Sequence, residues 1–122
     1  DAQIAVDLIL AFAKKDSETM KNSMGDTVRY SPPQGGKMIT SLSSEIPDVV
    51  KMLHEPYDSI KRTVWNAVPL KSSATDYTRV TVAFKEDRFY KDGTTESVRL
   101  VDRVFIKEKK VFRIHQWMAE ME

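Results

Sequence analysis

The feature that most constrains this chain is a change in hydrophobic period near its middle. From Ser59 onward, apolar and polar residues alternate with a period of two, which is typical of half-buried strands. Short polar turns divide this alternation into long segments rich in β-branched and aromatic residues. The pattern predicts an antiparallel meander of four strands. They cover residues 59–70, 78–90, 95–106 and 111–119.

The first third of the chain has helical spacing instead. Ile4, Leu8 and Phe12 recur every four residues and therefore share one face of a first helix. Asp16 is a suitable N-cap for a second, short helix, which Gly25 can end.

Two short strands and a third helix are expected before the meander. The strands are predicted over 27–31 and 37–40, on either side of a Pro- and Gly-containing turn. Ser43 or Ser44 then caps the third helix, and Pro56 ends it.

The turn at 91–93 decides which side chains share a face of the sheet. A two-residue loop would scatter the apolar residues over both faces. A three-residue loop with Gly93 in the left-handed conformation places Phe84 opposite Leu100 and Val82 opposite Asp102. Only this second register collects the apolar residues on one face, so the sequence predicts it.

The same reasoning applies to the turn at 108–110, where a lysine must take the left-handed conformation. It places Ile106 opposite Phe112 and Asp102 opposite Gln116. Asp102 and Gln116 then interrupt an otherwise apolar inner face. That face is predicted to contain Val80, Val82, Phe84, Val98, Leu100, Val104, Ile106, Phe112, Ile114 and Met118.

Composition excludes several classes of protein. Nineteen Lys and Arg residues against eighteen Asp and Glu leave a net charge of +1, without the basic excess of a nucleic-acid binder. The absence of cysteine rules out disulfides and thiolate metal sites. His54 and His115 have no carboxylate at ligand spacing, so we expect no metal site. No apolar run approaches the roughly 20 residues of a membrane span. We expect a single domain over 1–122, with no cofactor.

Three stretches carry a resemblance to a known superfamily. The first is Lys15-Asp16 between two helices, followed by Gly-Asp-Thr-Val-Arg-Tyr-Ser-Pro at 25–32. The second is Asp-Gly at 92–93, followed by Val-Arg-Leu-Val-Asp-Arg-Val at 98–104. The third is the strand at 110–119, which contains His-Gln-Trp. In this order they resemble the nuclear-transport-factor-2-like superfamily, which includes ketosteroid isomerases, scytalone dehydratase and polyketide cyclases of the SnoaL group.

The resemblance implies an α+β fold of the cystatin-like, ketosteroid-isomerase-like type. A cone-shaped, curved antiparallel sheet would wrap around three N-terminal helices and leave a pocket at its open end. Asp102 matches the acid that ketosteroid isomerases keep protonated so that it can donate a hydrogen bond to an oxyanion. Asp102 could instead pair with Gln116, Arg103 or Asn66, or bind water. The predicted pocket residues are Leu8, Phe12, Tyr30, Val82, Phe84, Leu100, Asp102, Ile114 and Gln116.

Other parts of the isomerase site are missing. Ser31 stands where those enzymes place their proton-shuttling Asp, and Leu8 stands where they place an oxyanion-binding Tyr. Neither side chain can do that chemistry, which argues against steroid isomerase activity. The predicted register also places no histidine in the cone, as scytalone-dehydratase-like chemistry would require.

The outer face of the sheet combines arginines with large apolar side chains, which is more typical of an interface than of a solvated surface. Relatives commonly dimerise through this face, so we expect a homodimer with arginine–carboxylate pairs involving Glu86, Asp87 or Glu120. The predicted interface contains Val101, Arg103, Phe105, His115 and Trp117.

The sequence therefore predicts a protein that binds a small apolar molecule in a cavity, with Asp102 and Gln116 as polar anchors. Whether it is an enzyme stays open, and Asp102 acting on a carbonyl compound is the only catalytic candidate. The alternative is a non-catalytic binding module that acts through the outer face. The chain begins at Asp1 rather than Met, which favours export to the periplasm after removal of a signal peptide.

Overall fold

Three helices and six strands lie within the part of the chain that the computed structural model describes, residues 1–32, 38–71, 74 and 76–119. A single 3₁₀ turn at Ser43–Glu45 precedes the third helix. The elements are α1 Ala2–Ala13, α2 Ser17–Ser23, β1 Met24–Ser31, β2 Ile39–Leu42, α3 Ile46–His54, β3 Tyr57–Lys71, β4 Thr78–Tyr90, β5 Thr95–Lys107 and β6 Lys110–Ala119.

The six strands form one curved sheet that does not close, in the order β2-β1-β6-β5-β4-β3. The predicted meander from β3 to β6 is confirmed, because each of these strands pairs antiparallel with the next. The sheet as a whole is mixed rather than purely antiparallel, since β1 runs parallel to β6. This pairing joins distant parts of the chain and places the side chains of β1 beside those of β6.

The core lies between the inner face of the sheet and the helices. From α1 it includes Leu8 and Ile9, which are 2% exposed. From the sheet it includes Val82, Phe84 and Leu100, which are fully buried. Burying such side chains is worth roughly 1.5–3 kcal/mol each, so this face fixes the orientation of the strands.

The predicted register between β4 and β5 is confirmed. Phe84 lies opposite Leu100 and Val82 opposite Asp102. Gly93 has a φ of 90°, a conformation that residues with a Cβ seldom adopt, and this permits the three-residue turn.

The turn between β5 and β6 differs from the prediction. Only Glu108 and Lys109 form it, with φ values of 52° and 64°. The sequence therefore predicted the wrong partner for Ile106, which lies opposite Val111 rather than Phe112. A bulge beside Phe112 absorbs one residue and restores the predicted register beyond it, so that Asp102 lies opposite Gln116.

The bulge turns Phe112 to the outer face, which corrects its predicted place on the inner face. Its ring centroid lies 5.8 Å from that of Tyr77 and 6.1 Å from that of Phe105. Val111 takes its place in the core and is fully buried. Met118, also predicted to face inward, is 41% exposed near the end of β6.

The ends of the short elements differ by a few residues from those predicted. Asp16 caps α2 as expected, because its carboxylate accepts a hydrogen bond from the backbone of Thr19 at 3.1 Å. Gly25 does not end that helix, since β1 already begins at Met24, which pairs with Val111. The second short strand is β2, and the predicted start of that strand at Lys37 lies outside the described residues.

β3 is an edge strand, and this position tolerates Pro69, which has no backbone N–H to donate to a neighbouring strand. A bulge between Val64 and Asn66 interrupts its pairing with β4 at Trp65. Trp65 is 47% exposed, and the guanidinium of Arg99 lies 5.0 Å from its ring centroid. Trp65 therefore lies on the outer face of the sheet.

Candidate functional site: a cavity between the helices and the sheet

A cavity of about 430 Å³ lies between the inner face of the sheet and the helices. Its volume is within the range of small-molecule sites, which starts near 300 Å³. Most of the lining is apolar and comes from the three helices, β1 and β6. These apolar residues include Leu8, Ile9, Phe12, Met20, Met24, Val28, Ile46, Val50, Leu53 and Ile114.

Six of the nine predicted pocket residues line this cavity: Leu8, Phe12, Tyr30, Asp102, Ile114 and Gln116. The other three, Val82, Phe84 and Leu100, are not among its lining residues. They are fully buried in the core behind it, because the neighbouring side chains of the inner face and the helices cover them.

Asp102 lies on the inner face of β5 and is 3% exposed. The register brings Gln116 of β6 opposite it, and their side chains are hydrogen-bonded. The oxygen Oδ1 of Asp102 is buried and has no hydrogen-bond partner among the residues that the structure describes. Of the pairings that the sequence left open, the structure has the one with Gln116, while Arg103 points to the outer face.

Burial raises the pKa of the Asp102 carboxyl group to about 7, because a carboxylate loses its hydration there. The positive charge of Arg62 and the hydrogen bond from Gln116 oppose this shift, and the negative charge of Glu86 adds to it. At neutral pH the group is therefore present in both protonation states.

Tyr30 extends the polar part of the cavity from β1. Its hydroxyl group donates a hydrogen bond to Oε1 of Gln116 at 2.9 Å. Burial and the nearby carboxyl of Asp102 raise the pKa of this phenol well above its usual value, so it stays protonated. Tyr30, Gln116 and Asp102 form a continuous polar row across three strands.

A buried ion cluster forms another polar part of the lining. The carboxylate of Glu86 is 2.8 Å from Nη2 of Arg62 and 2.7 Å from Nε of Arg88. Arg62 also donates a hydrogen bond to the backbone oxygen of Ile9 at 3.0 Å, which ties β3 to α1. Its guanidinium lies 4.5 Å from the ring centroid of Phe12.

The sequence analysis did not predict this ion cluster, although the inward position of one member, Glu86, could be read from the alternation of residues. Glu86 follows Val82 and Phe84 with the period of two that defines the inner face. Glu86 was named instead as one of three possible partners for the arginines of a dimer, but it is 3% exposed and paired inside the sheet. The inward direction of Arg62 had no comparable signal, since two bulges interrupt β3.

The residues predicted for the dimer interface lie on the outer face. The guanidinium of Arg103 is 4.8 Å from the ring centroid of Trp117, which also stacks on His115 at 4.0 Å. Arg113 lies 5.5 Å from the ring centroid of Phe105. Val101 shares this face and is half-buried. No carboxylate among the described residues pairs with Arg103 or Arg113.

The other histidine, His54, holds α3 against the backbone of α1. His54, at the end of α3, lies 2.6 Å through Nε2 from the backbone oxygen of Phe12 and is 3% exposed. Burial lowers its pKa, so the neutral ring donates this hydrogen bond. His54 lines a separate cleft together with Lys15, Lys51 and Lys91, and not the apolar cavity.

Across the described ranges, no three His, Cys, Asp or Glu side chains come together in a way that could hold a metal ion. No helix in the same ranges is long and apolar enough to cross a membrane.

No model of a known protein family matches the chain, and no curated protein matches it. Solved structures do match, although at low sequence identity. A dehydratase candidate of the nuclear-transport-factor-2-like family from Streptomyces avermitilis is 12% identical with a TM-score of 0.76, covering 98% of this chain and 93% of that chain. A candidate polyketide cyclase from Xanthomonas campestris is 9% identical with a TM-score of 0.68, covering 96% and 88%. An epoxide hydrolase of Mycobacterium tuberculosis, described as LEH-like, is 8% identical with a TM-score of 0.74, covering 96% and 80%.

These likenesses define the fold. The chain has the nuclear-transport-factor-2-like fold, as the three sequence stretches predicted. The same fold occurs in a candidate dehydratase, a candidate polyketide cyclase and an epoxide hydrolase.

Proposed function

We propose that this protein binds a small, largely apolar molecule in the cavity and holds it through an oxygen atom on Asp102. The observation that carries the proposal is the position of Asp102 Oδ1, which is buried in the lining without a partner. Buried polar atoms in folded proteins are almost always hydrogen-bonded, because an unpaired one costs about 1–3 kcal/mol. A hydroxyl or carbonyl oxygen of a ligand would supply the missing partner.

The same group is suited to acid–base chemistry. A pKa of about 7 lets Asp102 accept a proton or donate one near neutral pH, which is the range that favours general acid and base catalysis. If the protein is an enzyme, Asp102 is its acid or base and a carbonyl compound is its substrate. The names of structural neighbours support this direction without naming a reaction for this chain.

The lining also limits the chemistry. Leu8 lines the cavity and offers no hydrogen-bond donor, and Ser31, just before the proline, has no useful basicity. No histidine lines the cavity. We therefore expect no steroid isomerase activity, which an assay for conjugated enone formation above the uncatalysed rate would test.

Binding of 2-naphthol and of naphthalene tests the proposal, because the two differ by one hydroxyl group. The wild type should bind 2-naphthol about tenfold more tightly, the effect of one buried hydrogen bond. Asp102→Leu should lose this preference and still bind naphthalene. Ile114→Trp should bind neither compound, because the larger side chain fills the cavity. Met52→Trp is the control, since Met52 is 51% exposed on α3. If the wild type binds neither compound, the proposal is wrong.

A second function is supported by the outer face, for which we propose a homodimer contact. Large apolar side chains are exposed beside the arginines on this face, including Trp65 and Val68 at 47% and 58%. Such a patch is more typical of an interface than of a monomer's surface. This contact would leave the cavity free, so both functions can exist in one protein.

A further inference from the structure

The orientation of the Gln116 side chain is set by its neighbour on β1. An amide group has an oxygen that accepts hydrogen bonds at one end and a nitrogen that donates them at the other. The Tyr30 hydroxyl donates to Oε1 at 2.9 Å. The amide nitrogen is therefore the end that remains for Asp102.

This arrangement decides which oxygen of Asp102 is free. The side chains of Gln116 and Asp102 are hydrogen-bonded, and Oδ1 has no partner. The amide nitrogen therefore faces the carboxyl group of Asp102, which lies opposite Gln116, without occupying Oδ1. Oδ1 is left as the oxygen available to a molecule in the cavity.

We propose that Tyr30 is a positioning residue, which fixes the Gln116 amide so that Asp102 presents Oδ1 to the ligand. This inference rests on the proposed function only in assigning a ligand to Oδ1. Without the Tyr30 hydroxyl, the amide could turn by half a rotation, because its two ends have nearly the same size. Oε1 would then face the carboxyl group and favour its protonated form.

The charged groups around Asp102 allow a clean test. The charge of Arg62 lowers the pKa of its carboxyl group, and the charge of Glu86 raises it. These two side chains form an ion pair with each other at 2.8 Å. Neither is bonded to Tyr30, so Tyr30→Phe leaves them in place. A change in the pKa of Asp102 in that variant therefore reports on the Gln116 amide.

The experiment measures the pKa of Asp102 in the ligand-free protein by NMR of ¹³C-labelled aspartate side chains, assigned with Asp102→Asn. Tyr30→Phe should raise this pKa by about one unit, the scale of one weakened charge-assisted hydrogen bond. Gln116→Leu should raise it as well, because the donor is lost. Tyr57→Phe is the matched control, since Tyr57 lines the same cavity but packs against Tyr90, with ring centroids 5.0 Å apart and the rings tilted by 51°. That control should leave the pKa unchanged.

A double variant separates positioning from a direct effect. If Tyr30 acts through Gln116, Tyr30→Phe adds nothing to Gln116→Leu, so the two shifts are not additive. Additive shifts, or an unchanged pKa in Tyr30→Phe, would overturn the inference. Because no ligand is present, failure of 2-naphthol binding would contradict the proposed function and leave this result standing.

Discussion

Burial of the Asp102 side chain links its ionisation to the stability of the fold. Its pKa is about 7 in the folded protein and near 3.9 in an unfolded chain. Between these values the folded state keeps a proton that the unfolded state releases. Stability from this group is therefore fully present below the unfolded pKa of about 3.9, falls as the pH rises toward 7, and does not change further above the folded pKa.

Asp102→Asn should remove this pH dependence, because asparagine has a similar shape and no charge. Relative to the wild type, the variant should gain a few kcal/mol of unfolding free energy between pH 4 and pH 8. Urea denaturation at several pH values measures the difference. Asp87→Asn is the control. The hydrogen bond from Ser97 lowers the pKa of Asp87, so this variant should not gain unfolding free energy as the pH rises. A constant difference between wild type and Asp102→Asn would contradict the pKa shift.

Glu86 holds two buried guanidinium groups, so its loss should be costly. Glu86→Leu leaves Arg62 and Arg88 without their shared carboxylate, which typically destabilises a fold by about 3–5 kcal/mol. Glu96→Leu removes a carboxylate that is 47% exposed and bonded to the same Arg88, and should cost about 1 kcal/mol or less. Equal losses in urea denaturation would show that the cluster does not behave as a buried one.

At the residue scale, the sequence predicted the polar positions of the site from alternation alone. Asp102 and Gln116 interrupt an apolar face, and a period of two is enough to place both inward. The same alternation could have placed Glu86. The bond between Tyr30 and Gln116 could not be predicted, because it depends on the parallel pairing of β1 with β6, which no local pattern encodes.

Among the elements, the turn between β5 and β6 carries local strain. Glu108 and Lys109 both have positive φ angles, a pair typical of a type I′ turn, for which Asn-Gly is the preferred sequence. Replacing them together with Asn-Gly should stabilise the protein by about 1 kcal/mol, measured as a higher denaturation midpoint. The opposite change, Gly93→Ala in the β4–β5 turn, serves as the control. It should destabilise the protein, since Gly93 has a φ of 90° that alanine seldom adopts. A lower denaturation midpoint for the Asn-Gly variant would contradict the assignment of a type I′ turn to Glu108 and Lys109.

The two turns of the meander show how far the alternation of apolar residues can predict the register of strands. The β4–β5 register followed from its turn and its apolar residues, and it is correct. The β5–β6 turn was predicted one residue too long, because a bulge beside Phe112 gives the same register farther along the strands. Apolar residues occur at both Val111 and Phe112, so alternation could not choose between them.

At the scale of the whole molecule, the outer face predicts self-association. Trp117→Arg should convert a homodimer into a monomer, because it adds a charge to an apolar and already arginine-rich surface. Met52→Arg on the exposed side of α3 should leave the dimer intact. Light scattering at micromolar concentration measures both, and a monomeric wild type would refute the dimer.

Two of the three carboxylates that we expected to balance the arginines in such a dimer already have partners within the sheet. Glu86 is buried, and Asp87 accepts a hydrogen bond from Ser97 at 2.5 Å. Glu120 lies outside the described residues. We therefore expect the dimer to weaken at low salt, where repulsion between arginines is least screened.

The order of helices and strands predicted the fold because it resembles that of the nuclear-transport-factor-2-like superfamily, and the structure has this fold. The cavity was expected only by resemblance. Its volume depends on how far the helices stand from the sheet, and a pattern of apolar residues does not encode that distance.

A crystal structure of the protein with 2-naphthol tests the central claim most directly. The account predicts the naphthol ring among Leu8, Phe12 and Ile114, with its oxygen within hydrogen-bond distance, roughly 3 Å, of Asp102 Oδ1. An empty cavity at saturating 2-naphthol, or a ring bound only on the outer face beside Trp117, would contradict it.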